Sequence, residues 1–428
     1  KTFKAYVNIR EGHYIYPGYN EDKGVNHPVL FTGMTPIKWD ENNDEIETTE
    51  DDLDWYDYDN KRWANAKSAD GSYWVWIPRY AYKITSGYHS SETGTIDVKF
   101  LKGTSKISSD NLIVETSGYV AHEFDTSMHY FLHPSFKFND DEPGFWMAKF
   151  EPSAHEELAS GIDPGSCDEE DNVSTKSIKI VPDAVSWRCI NIKNAYLTSL
   201  AMKDNPIYGW DLTEVDTHMM TNIEWGAVAY LSKSQYGADG EIWNNSYTGF
   251  QTGCSGPTVS ADRYDNCISY KTADGQKAST THNIYGVYDM SGGAMERVMG
   301  NYNGVVGSDG FTKEDLLAID SKYITKYFTS PEKLNNGYGV DYDLNIYGDA
   351  VYETSYDGRR YNGSSWNIGG GSRSWYSDYS YLPHISASWM PRGGHHGYKE
   401  WAGVFSFTYS SGNPFWADSF RPVLVPLS

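Results

Sequence analysis

After about residue 340 the chain breaks into short pieces of Tyr, Trp, Ser and Gly with little helical periodicity. That pattern narrows the fold to short strands and loops packed through aromatic rings, and sets aside helical bundles. Tyr 35, Trp 15 and Phe 16 make 15% of the 428 residues aromatic, too many rings for a disordered chain. Rings mixed with Ser, Gly and Asn also suit binding surfaces, because they give large contact area at low entropic cost.

Earlier segments are more regular. YWVWIPRYAYKI from Tyr73 is β-branched and aromatic and reads as a strand, as does Gly144 to Glu151. Residues 84 to 140 between them are polar, with turn signals and short strand-like pieces. The clearest helix spans Asn222 to about Lys233. Thr221 is its N-cap and Glu224 completes a capping box, while Ile223, Ala227, Tyr230 and Leu231 share one face. Gly237 is a plausible stop, and a second short helix is expected from Thr312, with Asp315 in its first turn. Few helices among many short strands place the chain in the α+β class. Residues 1 to 65 look different: Glu41 to Asn60 is nearly all acid, amide and aromatic, and reads as an acidic linker or accessory segment. It lacks the regular spacing of a calcium loop.

Lys plus Arg number 35 against 58 Asp plus Glu, a net charge of −23. This weighs against duplex nucleic acid and anionic lipid as partners. No apolar run approaches the roughly 18 residues that span a bilayer, so no direct membrane insertion is expected. Lys1 carries no signal peptide or initiator Met, which reads as a processed or truncated start with any anchor encoded upstream.

The four cysteines are Cys167, Cys189, Cys254 and Cys267, and none forms a C-x-x-C pair. Cys254 and Cys267 flank a polar loop and suit a surface disulfide in an oxidising compartment; the alternative is four unpaired thiols. Sequons at Asn172, Asn244 and Asn362 hint at surface loops. His129 and His133 have a spacing compatible with metal ligation. No carboxylate completes the set, so a packed or surface pair is the plainer reading. Walker, G-x-S-x-G and H-E-x-x-H motifs do not occur.

Four stretches in order carry a resemblance: WVWIPRYAY (74–82), TNIEWGAVAYLSK (221–233), NIYGVYDMSGGAMERVMGNY (283–302) and RGG…AGVFSF…SFRPVL (392–424). Together they resemble the formylglycine-generating-enzyme type of C-type-lectin fold, over roughly residues 66 to 428. The resemblance implies a C-type-lectin-like domain with few helices and many loops. Enzymes of that family use a late pair of cysteines with copper, and here no cysteine follows Cys267. A thiolate has no substitute in that chemistry, so no enzymatic activity is expected. Family members often hold calcium near 286–296. Their Asn is Gly293 here, which leaves Asp289 and Glu296 as oxygen ligands, and the plainer reading makes these structural, for instance partners of a buried Arg421. No resident cofactor is expected.

The ending (389–424) is similar to the variable region of proteins diversified by retroelements. A fixed frame would comprise Trp389, Arg392, Gly393, Gly394, Ala402, Gly403, Phe405, Phe407, Gly412 and Phe420–Arg421–Pro422. The varied ligand-binding positions would be His395, His396, Tyr398, Lys399, Glu400, Trp401, Tyr409, Ser410, Pro414, Phe415, Trp416 and Asp418, with more in Trp375 to Tyr381, so that the variable region runs from about 375 to 424. Such proteins bind a protein or glycan ligand on a cell or virion surface and are displayed extracellularly on bacteria, pili or phage.

Composition supports the same division. AGVFSF (402–407) can be a core strand, whereas HHGYKEW and SSGNPFWAD beside it mix charge, rings and kinks. Trp401, Phe415 and Trp416 among polar residues suit an interaction site. The competing reading packs those rings in a loop-rich core. Three functions are thus in play: a non-enzymatic binding module, which is expected, a formylglycine-generating oxidoreductase, and a calcium-dependent carbohydrate lectin.

Overall fold

A computed structural model describes residues 16–116, 129–139, 141–163, 165–257, 266–302, 304–327, 346–356, 360–361, 366–367, 373–384 and 386–427. It is mixed, sheet-rich and loop-rich, with 31% strand and 16% helix, compatible with the α+β class. No described helix is long and apolar enough to cross a membrane.

The larger sheet has seven strands, all antiparallel, in the order Val215–Met219, Pro422–Pro426, Gly144–Ala148, Tyr73–Pro78, Asn65–Lys67, Thr35–Trp39 and Glu45–Glu47. The stretches expected as strands, 73–84 and 144–151, supply its neighbouring strands Tyr73–Pro78 and Gly144–Ala148, but the first breaks at Arg79 and continues as Tyr80–Ser86 in another sheet. The two neighbours are buried on both faces, which accounts for their unbroken apolar character. Within the segment 1–65, read from the sequence as an acidic linker or accessory segment, Thr35–Trp39 and Glu45–Glu47 extend this sheet, and Trp39, Trp55 and Trp63 are core residues. Acidic loops between those strands had masked the pattern.

A second sheet carries the candidate site. Met295–Tyr302 is its centre, pairing antiparallel with Trp389–Gly393 and parallel with Thr325–Tyr327 and Asp418–Phe420; Gly403–Phe407 adds to Trp389–Gly393. A smaller three-stranded sheet holds Tyr80–Ser86 between Thr95–Phe100 and Phe131–Leu132.

The chain crosses between the two large sheets at Arg421. Its guanidinium holds the carboxylate of Glu296 (Nε–Oε2 2.6 Å) and donates to Ala148 O and Tyr288 O at 2.7 and 2.9 Å. One buried cation thus ties Met295–Tyr302 to Gly144–Ala148, in a position water cannot serve.

Helix Asn222–Lys233 forms as expected, with the Thr221–Glu224 capping box in place. It is buried nearly all round, so its apolar periodicity marks a core helix. At Gly226 a Cβ would lie 1.9 Å from Gly348 O, which only glycine tolerates. The short helix Lys313–Ala318 starts at Thr312 with Asp315 bonded back, again as expected. Helix Ile192–Ala201, capped by Asn191, was not anticipated.

Candidate functional surface

The C-terminal face is assembled from three loops on the second sheet. Strand Trp389–Gly393 is fully buried and ends at Gly393 and Gly394, with φ of +81° and +68°. At Gly394 an added Cβ would stand 2.9 Å from the Ala402 backbone, so this turn into 395–401 requires glycine. The loop is held from below: His396 N donates to Gly293 O (2.9 Å), and Asn244 Nδ2 and Ala402 N both donate to Lys399 O (2.5 and 3.0 Å). Asn244 is only 1% exposed, which corrects its reading as a surface sequon, while Asn172 is half-buried and accepts from Asn191 N (2.8 Å). Asn362 lies outside the described residues.

Segment 373–381 lies alongside. Tyr379 N donates to Trp401 O and Tyr381 N to Phe407 O, both 2.9 Å. The buried Asp378 carboxylate accepts from Phe405 N at 3.0 Å, and burial pushes its pKa well up. The third loop, 408–417, is clamped by backbone bonds from Ile192 N to Gly412 O and Cys189 N to Phe415 O, both 3.1 Å. Arg188 donates to Trp416 O and Gly161 O and lies 4.0 Å over the Phe250 ring, on which Trp416 packs edge-on at 5.9 Å. Burial draws the Arg188 guanidinium down to about 10.

The rings of the three loops touch in an unbroken series. Phe415 meets Trp416 (5.4 Å between centroids), Trp416 meets His395 (5.4 Å), His395 meets Tyr398 (4.6 Å) and Tyr398 meets Tyr379 (5.2 Å). The series continues through Tyr381 (5.1 Å) and Tyr409 (5.5 Å) to His384 (4.8 Å). Trp401 stands beside it with the Arg373 guanidinium 5.3 Å above its ring. The contacts are edge-on or tilted except for the stacked Tyr379–Tyr381 pair, all favoured ring geometries.

Placement divides the expected residues. Trp401 and Phe415 are 41% and 37% exposed, and Glu400 is exposed. His395, Tyr398, Lys399, Tyr409, Ser410, Pro414 and Trp416 are half-buried. Two assignments are corrected. His396 is 3% exposed, with its ring edge-on to Phe250 at 4.6 Å; Asp418 is 2% exposed and paired with Arg297. Both belong to the support beneath the surface. All of the expected frame residues, Trp389 through Pro422, are buried.

Both cysteine pairs are disulfides, Cys254–Cys267 as read from spacing and Cys167–Cys189, which spacing did not suggest. The second bridge abuts Arg188 and the Phe415 loop. Arg188, Phe250 and Arg373 also escaped the sequence reading, because their roles come from contacts across 28 to 228 positions of chain.

The other candidate sites look structural. His133 is buried among Tyr80, Tyr82 and Tyr230, caps the turn Pro134–Lys137, and is pushed down to about 3 by burial; His129 is exposed. They do not share one surface. Asp289 accepts from Gly253 N, Asn245 Nδ2 and Glu151 N, and Glu296 is taken up by Arg421. Both carboxylates are thus spent on N–H donors. Among the described residues no group of three His, Cys, Asp or Glu could hold a metal ion. No protein-family model matches the chain, and a search of curated proteins finds no match.

Proposed function

We propose that this protein is a non-enzymatic ligand-binding module of C-type-lectin-like fold, whose C-terminal loops present a variable surface of the kind diversified by retroelements. It would be displayed outside the cell, on a bacterial surface, pilus or virion, and would engage a protein or glycan on another surface. One observation carries the reading: the residues assigned to a fixed frame are all buried, while ten of the twelve assigned to variation reach solvent. A surface that must change sequence without unfolding needs that division, since exposed substitutions cost little and buried ones much.

Further support comes from rigidity. The exposed rings rest on a buried layer of ion pairs and glycine turns, so little entropy is lost on binding. Trp401 and Phe415 supply the anchors, and half-buried His395, Tyr398 and Trp416 supply shape. All four cysteines are bonded in pairs, which supports the binding-module reading over the oxidoreductase one.

Sequencing around the gene tests the diversification directly. A neighbouring reverse transcriptase and a near-copy of the codons for 389–424, differing at adenines, are expected; their absence overturns that part. Binding of the labelled protein to panels of intact cells and immobilised glycans tests the surface. Trp401→Ala and Phe415→Ala should abolish adsorption with melting temperature unchanged, and adsorption that survives both changes would refute the anchor role.

A further inference from the structure

The chain carries a net charge of −23, yet one cavity reverses that sign. It measures about 370 Å3, lies outside the aromatic surface, and among the described residues is lined by Arg79, Lys106 and Lys137 against one carboxylate, Asp141, with Thr104, Thr116 and Leu132.

Arg79 is the fixed element. It is 1% exposed, and its fork is held by Ser105 O (Nε, 3.2 Å), Phe136 O and Glu142 O (Nη1, 2.9 and 3.3 Å) and Asp141 Oδ1 (Nη2, 2.6 Å). Three of those acceptors are neutral carbonyls, so among the described residues Asp141 is the one lining group that offsets three positive charges. The Asp141 side chain is 46% exposed and therefore solvated on its far side. Glu142 turns its carboxylate to Phe138 N and Asn139 N instead. Lys106 and Lys137 are exposed, with Lys137 Nζ donating to Thr116 O. Burial draws the Arg79 guanidinium below its ordinary value, against the opposing pull of Asp141 and Glu142.

We propose that this cavity binds a small oxyanion ligand, a phosphate, sulfate or carboxylate group on a compact polar body. Arg79, with Nε and Nη1 held by carbonyls, is a fixed positive charge that faces the cavity through Nη2, and Lys106 and Lys137 close over it. The Nη2 arm can give such a group a charge-assisted hydrogen bond, and the lysines add point charge. The overall negative field does not prevent this, because at physiological salt it is screened beyond about 8 Å. Asp141 occupies one arm of the fork in the ligand's place and competes with it.

Inorganic phosphate is the probe, titrated into the intact chain by calorimetry at ionic strength held constant with sodium chloride. Saturable binding near one site per chain is expected. Lys106→Ala with Lys137→Ala should weaken it by about tenfold or more without moving the phosphate-free melting temperature, since both side chains are exposed. Asp141→Asn should act in the opposite direction and tighten phosphate severalfold, because the competing carboxylate is gone while Arg79 keeps its carbonyl partners. Heat that never saturates, an unchanged response in the double variant, or no tightening in Asp141→Asn would each overturn the site. None of these outcomes touches the aromatic surface.

Discussion

Arg297 and Asp418 meet in the protein interior, with Arg297 Nε and Nη2 at 2.9 and 2.7 Å from the same carboxylate oxygen. Both side chains are at most 3% exposed. The same guanidinium donates to Ile190 O and Asn413 O, so one residue on the central strand of the second sheet clamps two loops beneath the aromatic surface. Asp418→Ala would leave that cation buried without its counter-charge. A loss of about 3–5 kcal/mol is expected in urea denaturation. A loss below about 1 kcal/mol would mean that the pair is not desolvated.

Trp389 and Trp401 sit twelve positions apart and should respond in opposite ways. Trp389 is fully buried, stacks on Phe311 at 5.9 Å and donates its Nε1 to Asp309 at 2.7 Å. Trp389→Ala should cost about 3–5 kcal/mol. Trp401→Ala should stay within about 0.5 kcal/mol of the parent, because its ring is 41% exposed. Thermal melts of the two variants side by side decide it. Equal destabilisation would make Trp401 a core ring and remove it from the binding surface.

How much of this was legible in the sequence follows from the range of each interaction. The helix at 222–233 could be read because its capping box and apolar face lie within one short window. The frame residues 402–407 could be read because strand periodicity is equally local. Asp418 was misplaced because it stands among exposed rings in sequence, while its partner Arg297 lies 121 positions earlier. Separation along the chain also hid the clamp of Arg188 on Trp416, 228 positions apart, and the Cys167–Cys189 bridge across 22. The strands before residue 65 were missed because polar loops interrupt them and only their sheet partners define them.

The Cys167–Cys189 bridge should matter to the surface as well as to stability. Cys189 N holds Phe415 O, and the neighbouring Arg188 holds Trp416 O. Closing a span of 22 residues restricts the unfolded chain, so Cys167→Ser with Cys189→Ser should lose about 2–4 kcal/mol. Limited proteolysis should also cut sooner at 408–417 in that variant than in a Cys254→Ser, Cys267→Ser control. Equal cutting of that loop in both would dissociate the bridge from it.

Calcium should leave the fold unaffected. Asp289 and Glu296 are occupied by Gly253 N, Asn245 Nδ2, Glu151 N and Arg421, and cation binding would have to break those bonds. The expected melting temperature is the same in millimolar calcium and in chelator. A rise of several degrees with calcium would return the lectin reading to contention.

His218 predicts a loss of stability in mild alkali. The ring is fully buried, with Nε2 3.0 Å from Glu224 Oε1, Nδ1 3.4 Å from Asp216 Oδ1, and its face 4.5 Å from Phe138. Burial alone would lower its pKa, but Glu224 and Asp216 outweigh burial and hold it up to about 9. Asp216, which burial would raise, is held down to about 2 by His218 with Tyr323 and Lys322. A raised histidine pKa favours the folded state fully below the unfolded value of 6.5, and that contribution disappears as pH climbs through 9. The depressed Asp216 contributes above about pH 4, and its share fades as pH falls toward 2. The two shifts describe one ion-pair cluster and are counted once, on the order of 3 kcal/mol. The contribution of this cluster, read as the difference between the parent and His218→Gln, should therefore be level from about pH 4 to 6.5 and decline from 6.5 to 9 as it discharges. His218→Gln should flatten the alkaline limb while lowering the plateau. Parallel profiles of parent and His218→Gln between pH 6.5 and 9 would mean that His218 is neutral in the fold.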